Sequence, residues 1–334
     1  MTFDLSFLDK SPIHENEGPA AALRRTVALA QKAEAHGFKR FWVAEHHNSS
    51  KLASSSPEVL ISYLLAQTKR ISIGSGGVML QHYSAYKVAE NFNLLASLAP
   101  GRVDLGIGKA PGGLPISTRA LQGAYDPSRK PSFDVQLADL DRFIRGDVDV
   151  ASAPEDRLAA YPSPPTAPNR FLLGASPESA RLAAGLGWSF VHAGHINGNE
   201  EAVSETLAAY QTAGGTYAVL AVAVVVAETD QAAQALDVEG RRFRVEIEGG
   251  QGVNVGSEQQ ALEYVRQAGA SSYRIEERSP LIIRGSATTV QAELQRLHRL
   301  HGVDEFIVDC PVADGAHRLR AIDYLATAKS ALAA

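Results

Sequence analysis

The chain has 334 residues, of which 45% are hydrophobic and 21% are charged, as in ordinary globular proteins with a substantial core. Its formal net charge of -5 and the lack of long lysine and arginine runs argue against a nucleic-acid-binding surface. The single cysteine, Cys310, excludes an internal disulfide; with no signal-peptide pattern and no bilayer-spanning apolar run, we expect a cytoplasmic protein that binds neither nucleic acid nor membranes.

Short apolar runs alternate with helical patterns along the whole chain. The predicted strands are residues 3–8, 38–44, 71–78, 102–108, 171–174, 188–193, 217–227 and 305–309. Strands that are apolar throughout and separated by helices are typical of a parallel sheet covered on both faces. Eight such units fit a closed (β/α)8 barrel better than an open sheet. We therefore predict an α/β protein with one TIM-barrel domain over residues 1–334.

The helical segments carry recognisable start and stop signals. Residues 19–36 place Leu23, Val27, Ala30 and Ala33 on the face expected to be buried, and the pattern ends at Gly37, a favoured residue after a helix. Ser56 precedes a proline and an acid, so its hydroxyl is expected to cap the next helix.

Two stretches are longer than a basic strand–helix unit requires. Residues 110–169 follow the fourth predicted strand and contain two extra helical patterns, and residues 229–285 follow the seventh. Long insertions of this kind can form lids over the C-terminal face of a barrel. The sequence therefore predicts a barrel with insertions after strands 4 and 7.

Polar, small and titratable residues collect where the predicted strands end. They are Glu45, His46 and His47 after the second strand, Ser75, Gly76, Gly77 and Val78 at the third, Lys109 after the fourth, Gly174, Ala175, Ser176 and Ser179 after the fifth, and His195 after the sixth. In a barrel, strand ends meet at one mouth, where active sites lie. We take the first three residues as candidate catalytic groups and the others as candidate cofactor-binding groups.

His46 and His47 suggest acid–base chemistry more than metal binding. Adjacent residues on a strand point to opposite faces, and no third ligand has suitable spacing, so we predict no metal site. One imidazole is expected to act as a base or hydrogen-bonding group, oriented by Glu45 or by the other imidazole.

The remaining positions have structural as well as functional explanations. The glycines ending the third strand suit close approach of a flat ligand, or simply a turn. Ser176 and Ser179 lie at a predicted helix start, which is either a phosphate site or an ordinary N-cap. Lys109 is either a fixed positive charge or a solvated lysine.

The chain resembles the bacterial luciferase-like, flavin-dependent monooxygenases, in particular the single-chain luciferase-like oxidoreductases. The resemblance rests on WVAEHHN at 42–48, SPEVL at 56–60, GSGGVML at 74–80, VAE at 88–90 and PGRVDLGIGKAPG at 100–112. It continues more weakly through LLG at 172–174 and HRLR at 317–320.

The resemblance implies FMN at the barrel mouth, reduced by a separate flavin reductase, and oxidation of a small, aldehyde-like organic substrate by dioxygen. The family's catalytic histidine falls on His46, and the strand end facing the isoalloxazine, often with a non-proline cis peptide, falls on Ser75, Gly76 and Gly77. Lys109 replaces the family's phosphate-contacting arginine and keeps only its charge, so phosphate affinity is expected either to be lower or to be shared with Ser176 and Ser179.

The resemblance also implies a homodimer. Two alternatives stay open for the activity: a deazaflavin-dependent oxidoreductase with the same fold, and a non-catalytic flavin-binding relative.

Overall fold

A computed structural model describes residues 3–124, 126, 129–147, 157–196, 198–238, 240–248 and 252–330, with backbone only for 328–330. The first half contains β1 (Asp4–Asp9), α1 (Pro19–Ala35), β2 (Arg40–Val43), α2 (Pro57–Gln67), β3 (Ser72–Ser75), β4 (Val78–Met79), a 3-10 turn (Leu80–His82), α3 (Ala85–Leu98), β5 (Val103–Gly108), α4 (Pro115–Leu121) and α5 (Phe133–Arg145). The second half contains β6 (Asn169–Gly174), α6 (Pro177–Gly185), β7 (Ser189–Ala193), α7 (Glu200–Thr212), β8 (Ala218–Ala227), α8 (Asp230–Gln234), β9 (Arg242–Ile247), β10 (Val253–Val255), α9 (Glu258–Ala268), β11 (Tyr273–Arg278), β12 (Ile282–Ser286), α10 (Ala287–His301), β13 (Glu305–Asp309) and α11 (Gly315–Ser330).

Eight parallel strands close into a barrel, in the order β1, β2, β3, β5, β6, β7, β8 and β13. The last strand closes it, because β13 pairs in parallel with both β8 and β1. All eight predicted strands are present, and the TIM barrel is confirmed. Among the described residues, no helix is both long enough and apolar enough to cross a bilayer.

The third predicted strand is interrupted. β3 ends at Ser75, and the short β4 then pairs with β5. Between them, the peptide bond joining Gly76 and Gly77 is cis, at the position where the family resemblance places such a bond.

The barrel interior is filled in successive layers, since alternate residues of each strand face inward. At the N-terminal end, Arg40 Nε donates to Glu305 Oε1 (2.6 Å) and Arg40 NH1 donates to Asp104 Oδ2 (3.0 Å). These residues lie on β2, β13 and β5, which are not neighbours, so the bonds cross the interior. The next layer is apolar and consists of Leu8, Trp42, Ala44, Phe171, Val191, Val219, Ala221 and Ile307. Beyond it lies the C-terminal mouth.

The start and stop signals predicted for the helices are only partly confirmed. Gly37 does follow α1 with a φ of +68°, and the N–H of Phe38 satisfies the free carbonyl of Ala33. The predicted buried face of α1 is partly confirmed: Ala30 and Ala33 are buried, whereas Leu23 and Val27 are only half-buried. Thr26, which was not predicted, is also buried, and its hydroxyl donates to Asp9 Oδ2 at 2.5 Å.

The predicted hydroxyl cap on α2 was also wrong. Ser56 occupies the N-cap position, but its hydroxyl accepts no backbone N–H and instead donates to Glu58 Oε1 at 3.0 Å. The acid in the first turn competes for the hydroxyl that the sequence pattern assigned to the backbone.

The two insertions are present where predicted, but the second contains strands that the sequence analysis missed. β9 pairs antiparallel with β10 and β11, and α9 packs against them. This unit has a small core of its own, made of Phe243, Val245, Val253, Ala261 and Val265. Its strands alternate apolar and polar residues, unlike the fully buried barrel strands, so the search for continuous apolar runs overlooked them.

The insertions contact each other. The N–H of Ile116, at the start of α4, donates to Gln267 Oε1 at 2.9 Å, and Arg119 NH1 donates to the carbonyl oxygen of Gln267 at 3.0 Å. Helix α4 belongs to the first insertion and α9 to the second, so the two insertions are joined.

Candidate active site

His46 and His47 diverge from the end of β2, as residues adjacent along an extended chain must. His46 shares the inward parity of Arg40 and Trp42 and faces the mouth, and its Nδ1 is buried with no hydrogen-bond partner among the described residues. Burial, assisted by Lys10, lowers the pKa of His46 to about 4. The imidazole is therefore neutral at pH 7 and able to accept a proton.

Glu45 anchors the other side of β2. Its buried carboxylate accepts from His47 Nε2 (2.7 Å), the Tyr83 hydroxyl (2.8 Å) and the N–H of Met79 (3.0 Å). The sequence analysis expected Glu45 to orient an imidazole, and in the structure that imidazole belongs to His47. Glu45 thereby ties the end of β2 to β4 and the following turn.

His82 extends this network and was not singled out from the sequence. Its Nε2 lies 2.8 Å from the carbonyl oxygen of Pro111, and its Nδ1 lies 2.9 Å from Gln122 Nε2. The carbonyl can only accept, so the Nε2 carries the hydrogen and Nδ1 accepts from the amide. Its ring meets His47 edge-on at 5.8 Å. His47 and His82 are thus both held in place by hydrogen bonds.

A lysine–aspartate pair occupies the mouth and was also missed. Lys10 Nζ lies 2.5 Å from Asp309 Oδ2. Burial alone would raise the pKa of Asp309, but Lys10 and His195 lower it to about 2, so it stays ionised. The parity of the strands was the available signal: Lys10 follows inward-facing Leu8 by two positions, as Asp309 follows Ile307.

His195 lies beside this pair. Its N–H donates to the carbonyl oxygen of Ala221 at 3.0 Å, and its Nδ1 is buried without a partner among the described residues. Burial lowers its pKa to about 4, with Asp309 opposing and Lys10 assisting. Lys10 and Asp309 interact electrostatically with both His195 and His46, so the four side chains form one group, the mouth cluster. Within the described part of the chain, no three His, Cys, Asp or Glu side chains are grouped to hold a metal ion.

The glycines ending β3 are explained by packing within the barrel. A Cβ on Gly76 would lie 2.8 Å from Leu8 Cδ1, and one on Gly77 would lie 2.8 Å from the carbonyl oxygen of Gly106. Ser75 Oγ donates to that same oxygen (2.8 Å) and accepts from the Gly106 N–H (3.0 Å). The adjacent Val78 is buried. These glycines are needed by the wall itself, so their presence is not independent evidence for a ligand.

Ser176 and Ser179 come together at the start of α6, with their hydroxyl oxygens 3.3 Å apart. Ser176 caps the helix by accepting from the N–H of Ser179 at 3.4 Å, and Ala175 before it is exposed. Gly174 permits this approach, because a Cβ there would lie 2.7 Å from Ser179 Cβ. The arrangement is an ordinary N-cap whose free N–H groups face the mouth end of β6.

Lys109 is not seen to contact these serines. It directly follows Gly108, which pairs with Leu173 of β6, so its backbone adjoins Gly174. Its exposed ammonium, however, lies 5.8 Å from the centre of the Phe133 ring at the start of α5.

Comparison with known proteins identifies relatives of the whole chain. A family model described as luciferase-like monooxygenase matches residues 1–303. The N-acetyl-S-alkylcysteine monooxygenase of Bacillus subtilis (strain 168) is 45% identical over 323 residues, which cover 94% of each chain. The crystal structure of apo-MsnO8 is 30% identical, covers 98% of each chain and has a TM-score of 0.77.

More distant solved structures share the fold. The oxygenating constituent of 3,6-diketocamphane monooxygenase from Pseudomonas putida, in complex with FMN, has a TM-score of 0.67 at 16% identity and covers 98% of this chain and 97% of its own. An F420-dependent secondary alcohol dehydrogenase has a TM-score of 0.66 at 14% identity and covers 98% of each chain. Proteins with this fold thus bind FMN or F420. By its barrel, its mouth and its full-length relatives, this chain belongs to the luciferase-like monooxygenase family.

Proposed function

We propose that this protein is an FMN-dependent monooxygenase that uses reduced flavin and dioxygen to oxidise a small organic substrate. The observation that carries the proposal is the buried, unpartnered Nδ1 of His46 at the mouth of a luciferase-like barrel. A buried polar atom without a partner is costly, so it is commonly retained where a ligand completes its bonding.

The residues at the mouth fit a flavin. We assign the isoalloxazine ring to the strand end at Ser75, Gly76 and Gly77 because the family resemblance places it there, beside the cis peptide bond between the two glycines. The free N–H groups at the start of α6, with the Ser176 and Ser179 hydroxyls, suit a phosphate. We assign Lys109 to the same phosphate by its adjacent backbone, which requires its side chain to turn away from Phe133.

Reduced FMN, when bound, supplies two electrons with which one oxygen atom of dioxygen enters the substrate and the other becomes water. The chain's own contribution is proton handling and exclusion of water. We assign proton uptake and return to His46 Nδ1, since that imidazole is neutral at pH 7. The joined insertions would cover the mouth and keep water from the reacting atoms.

For the substrate we propose a thioether of an N-acylated cysteine. The support is the Bacillus subtilis relative, whose name states N-acetyl-S-alkylcysteine and which is 45% identical over nearly the full chain. A thioether sulfur and the carbon beside it are ordinary targets of flavin-dependent oxygenation. This replaces the aldehyde-like substrate expected from sequence with a narrower class.

We further propose a cytoplasmic homodimer supplied with reduced FMN by a separate reductase. Support for the dimer comes from large apolar side chains exposed on adjacent helices, Val59 and Tyr63 on α2 and Leu94 and Leu98 on α3. Support for the separate reductase is the absence from the sequence of a glycine-rich dinucleotide-binding motif.

The test replaces His46 with alanine. FMN affinity, measured by quenching of flavin fluorescence, should change little, whereas turnover of N-acetyl-S-methylcysteine with reduced FMN and dioxygen should fall roughly 100-fold. His36→Ala, on the exposed end of α1, is the matched control and should retain activity. Unchanged turnover in His46→Ala would remove His46 from the mechanism. Turnover with reduced F420 alone would favour the deazaflavin alternative, and no consumption of either reduced cofactor would favour the non-catalytic one.

A further inference from the structure

A row of paired residues crosses the mouth from β1 to the insertion after β8. Leu8 on β1 is the register partner of Asp309 on β13. Asp309 is in turn the partner of Ala223 on β8, and Ala223 is the partner of Ile282 on β12. Register partners on neighbouring parallel strands point to the same face of the sheet. Since Leu8 belongs to the apolar layer inside the barrel, all four side chains are on the inner face.

The row rises toward the opening, because barrel strands are tilted against the barrel axis. Leu8 lies within the apolar layer. Asp309 and Ala223 each lie two positions beyond a member of that layer, at the level of the mouth cluster. Ile282 is the last member of the row and comes from the insertion. The insertion therefore contributes an inward-facing side chain to the mouth.

Backbone hydrogen bonds fix the place of Ile282. The N–H of Leu281 donates to the carbonyl oxygen of Gly194 at 3.0 Å, and the N–H of Ala223 donates to the carbonyl oxygen of Leu281 at 3.0 Å. The insertion thus replaces β7 as the neighbour of β8 directly after the residue that precedes His195. Ile282, which follows Leu281, is held at the His195 side of the mouth.

Ala223 and Ile282 form an apolar surface, the β8–β12 shelf, next to a charged group. Ile282 is only half-buried, whereas Ile283 points to the outer face and is 4% exposed. A Cβ built on Gly240 lies 3.8 Å from Ile282 Cδ1, so the residue that approaches the isoleucine there has no side chain to cover it. On the other side of Ala223 lies its partner Asp309, which is ionised. Apolar and charged surfaces therefore adjoin at this part of the mouth.

We propose that Ala223 and Ile282 bind the S-alkyl group of the substrate and determine which alkyl groups are accepted. This inference rests on the proposed monooxygenase function and its substrate class, a thioether of an N-acylated cysteine. Such a molecule has a polar acylated amino-acid part and an apolar alkyl part. The mouth offers a matching pair of surfaces, the ion pair of Lys10 and Asp309 and the β8–β12 shelf.

The length of the alkyl group should matter because the shelf spans two strands. Neighbouring strands lie about 4.8 Å apart, so a methyl group placed at Ala223 does not reach Ile282, whereas a butyl group does. Covering apolar surface favours binding in proportion to the area removed from water. The shelf should therefore favour a longer alkyl chain over a methyl group.

The experiment compares N-acetyl-S-butylcysteine with N-acetyl-S-methylcysteine. The measured quantity is the ratio of kcat/KM for the butyl compound to that for the methyl compound, with reduced FMN and dioxygen. The test variants are Ile282→Val, Ile282→Ala and Ala223→Val. Because the ratio compares two substrates of one enzyme sample, a smaller folded fraction does not change it. Leu300→Ala is the matched control, since Leu300 is a branched apolar residue that is 50% exposed near the end of α10, outside the barrel.

We expect the butyl-to-methyl ratio to fall about 4-fold in Ile282→Val and about 15-fold in Ile282→Ala, the scale of one and two lost methylene contacts. In Ala223→Val the ratio should fall at least about 10-fold, because the added carbons occupy the place of the chain. The ratio should stay unchanged in Leu300→Ala. An equal loss of activity on both substrates in the Ile282 variants would overturn the proposal. A rise in the ratio would also overturn it, since Ile282 would then obstruct the alkyl group.

Failure of the proposed function is distinguished by binding without turnover. If the unmodified protein oxidises neither compound, calorimetric titration of each compound into the protein still compares butyl with methyl. Preference for the butyl compound that is lost in the Ile282 variants would uphold the shelf as a binding site and reject the activity. Equal binding of the two compounds, or binding of neither, would reject the shelf.

Discussion

Replacing Asp309 with asparagine should destabilise the protein in a pH-dependent way. Burial alone would raise the pKa of this carboxyl, but Lys10, His195 and Arg318 hold it below its ordinary 3.8, at about 2. Each pKa unit corresponds to about 1.36 kcal/mol, so the ionised form contributes about 2 kcal/mol to the free energy of unfolding at pH 7. Asparagine keeps the shape and loses this contribution.

The sign of the pH dependence follows from the lowered pKa. The contribution is fully present above the unfolded-state value of 3.8 and is lost as the pH falls through about 2. Urea unfolding, followed by tryptophan fluorescence at pH values from 7 to 3, should therefore show a difference between the two proteins that narrows below pH 4. Asp139→Asn is the control, because that exposed carboxylate makes only a 3.8 Å surface pair with Arg142. A difference below about 0.5 kcal/mol at pH 7, as at ordinary surface sites, would refute the reasoning.

Three further outcomes are expected. If neutral His46 accepts the proton, kcat/KM should be level above pH 5 and fall as the pH drops through about 4. A fall centred near pH 6.5 would contradict this assignment of the proton acceptor. Arg40→Met should lower the free energy of unfolding by about 3–5 kcal/mol, because it leaves Glu305 and Asp104 buried without their shared cation. A decrease in the free energy of unfolding no larger than that of a surface arginine variant would contradict this. Gln267→Ala should loosen the joined insertions and raise the fraction of reduced flavin that is oxidised without forming product, measured as peroxide released. An unchanged fraction would show that this contact does not seal the mouth.

The barrel was predictable because its strands carry their own signal. A strand buried on both faces is apolar along its length, as in 217–227. The helices between the strands are recognised by a different signal, the helical spacing of their apolar residues. The strands of the second insertion lie at the surface and show only short alternation, so they were missed. The hydroxyl of Ser56 was predicted to cap the backbone of α2 because the local sequence pattern does not show that the Glu58 carboxylate competes for that hydroxyl.

The candidate site was predictable to the level of which strand ends meet. Parallel strands bring their C-terminal ends to one edge, so His46 and His195 were placed at the same mouth from sequence, and the opposite directions of His46 and His47 follow from strand parity. An imidazole partner for Glu45 was expected from sequence, but its other two partners were not predictable, since Tyr83 and Met79 reach it from a different strand end.

By itself, the sequence determined the order of strands and helices, the barrel, the family resemblance and the position of the candidate catalytic histidine. Only the tertiary structure decided which titratable groups meet, as it joined Lys10 to Asp309 across 299 positions of sequence. The physical reason is that periodicity and capping act between residues close in the chain, whereas charge pairing and burial depend on distances that exist only after the barrel has closed.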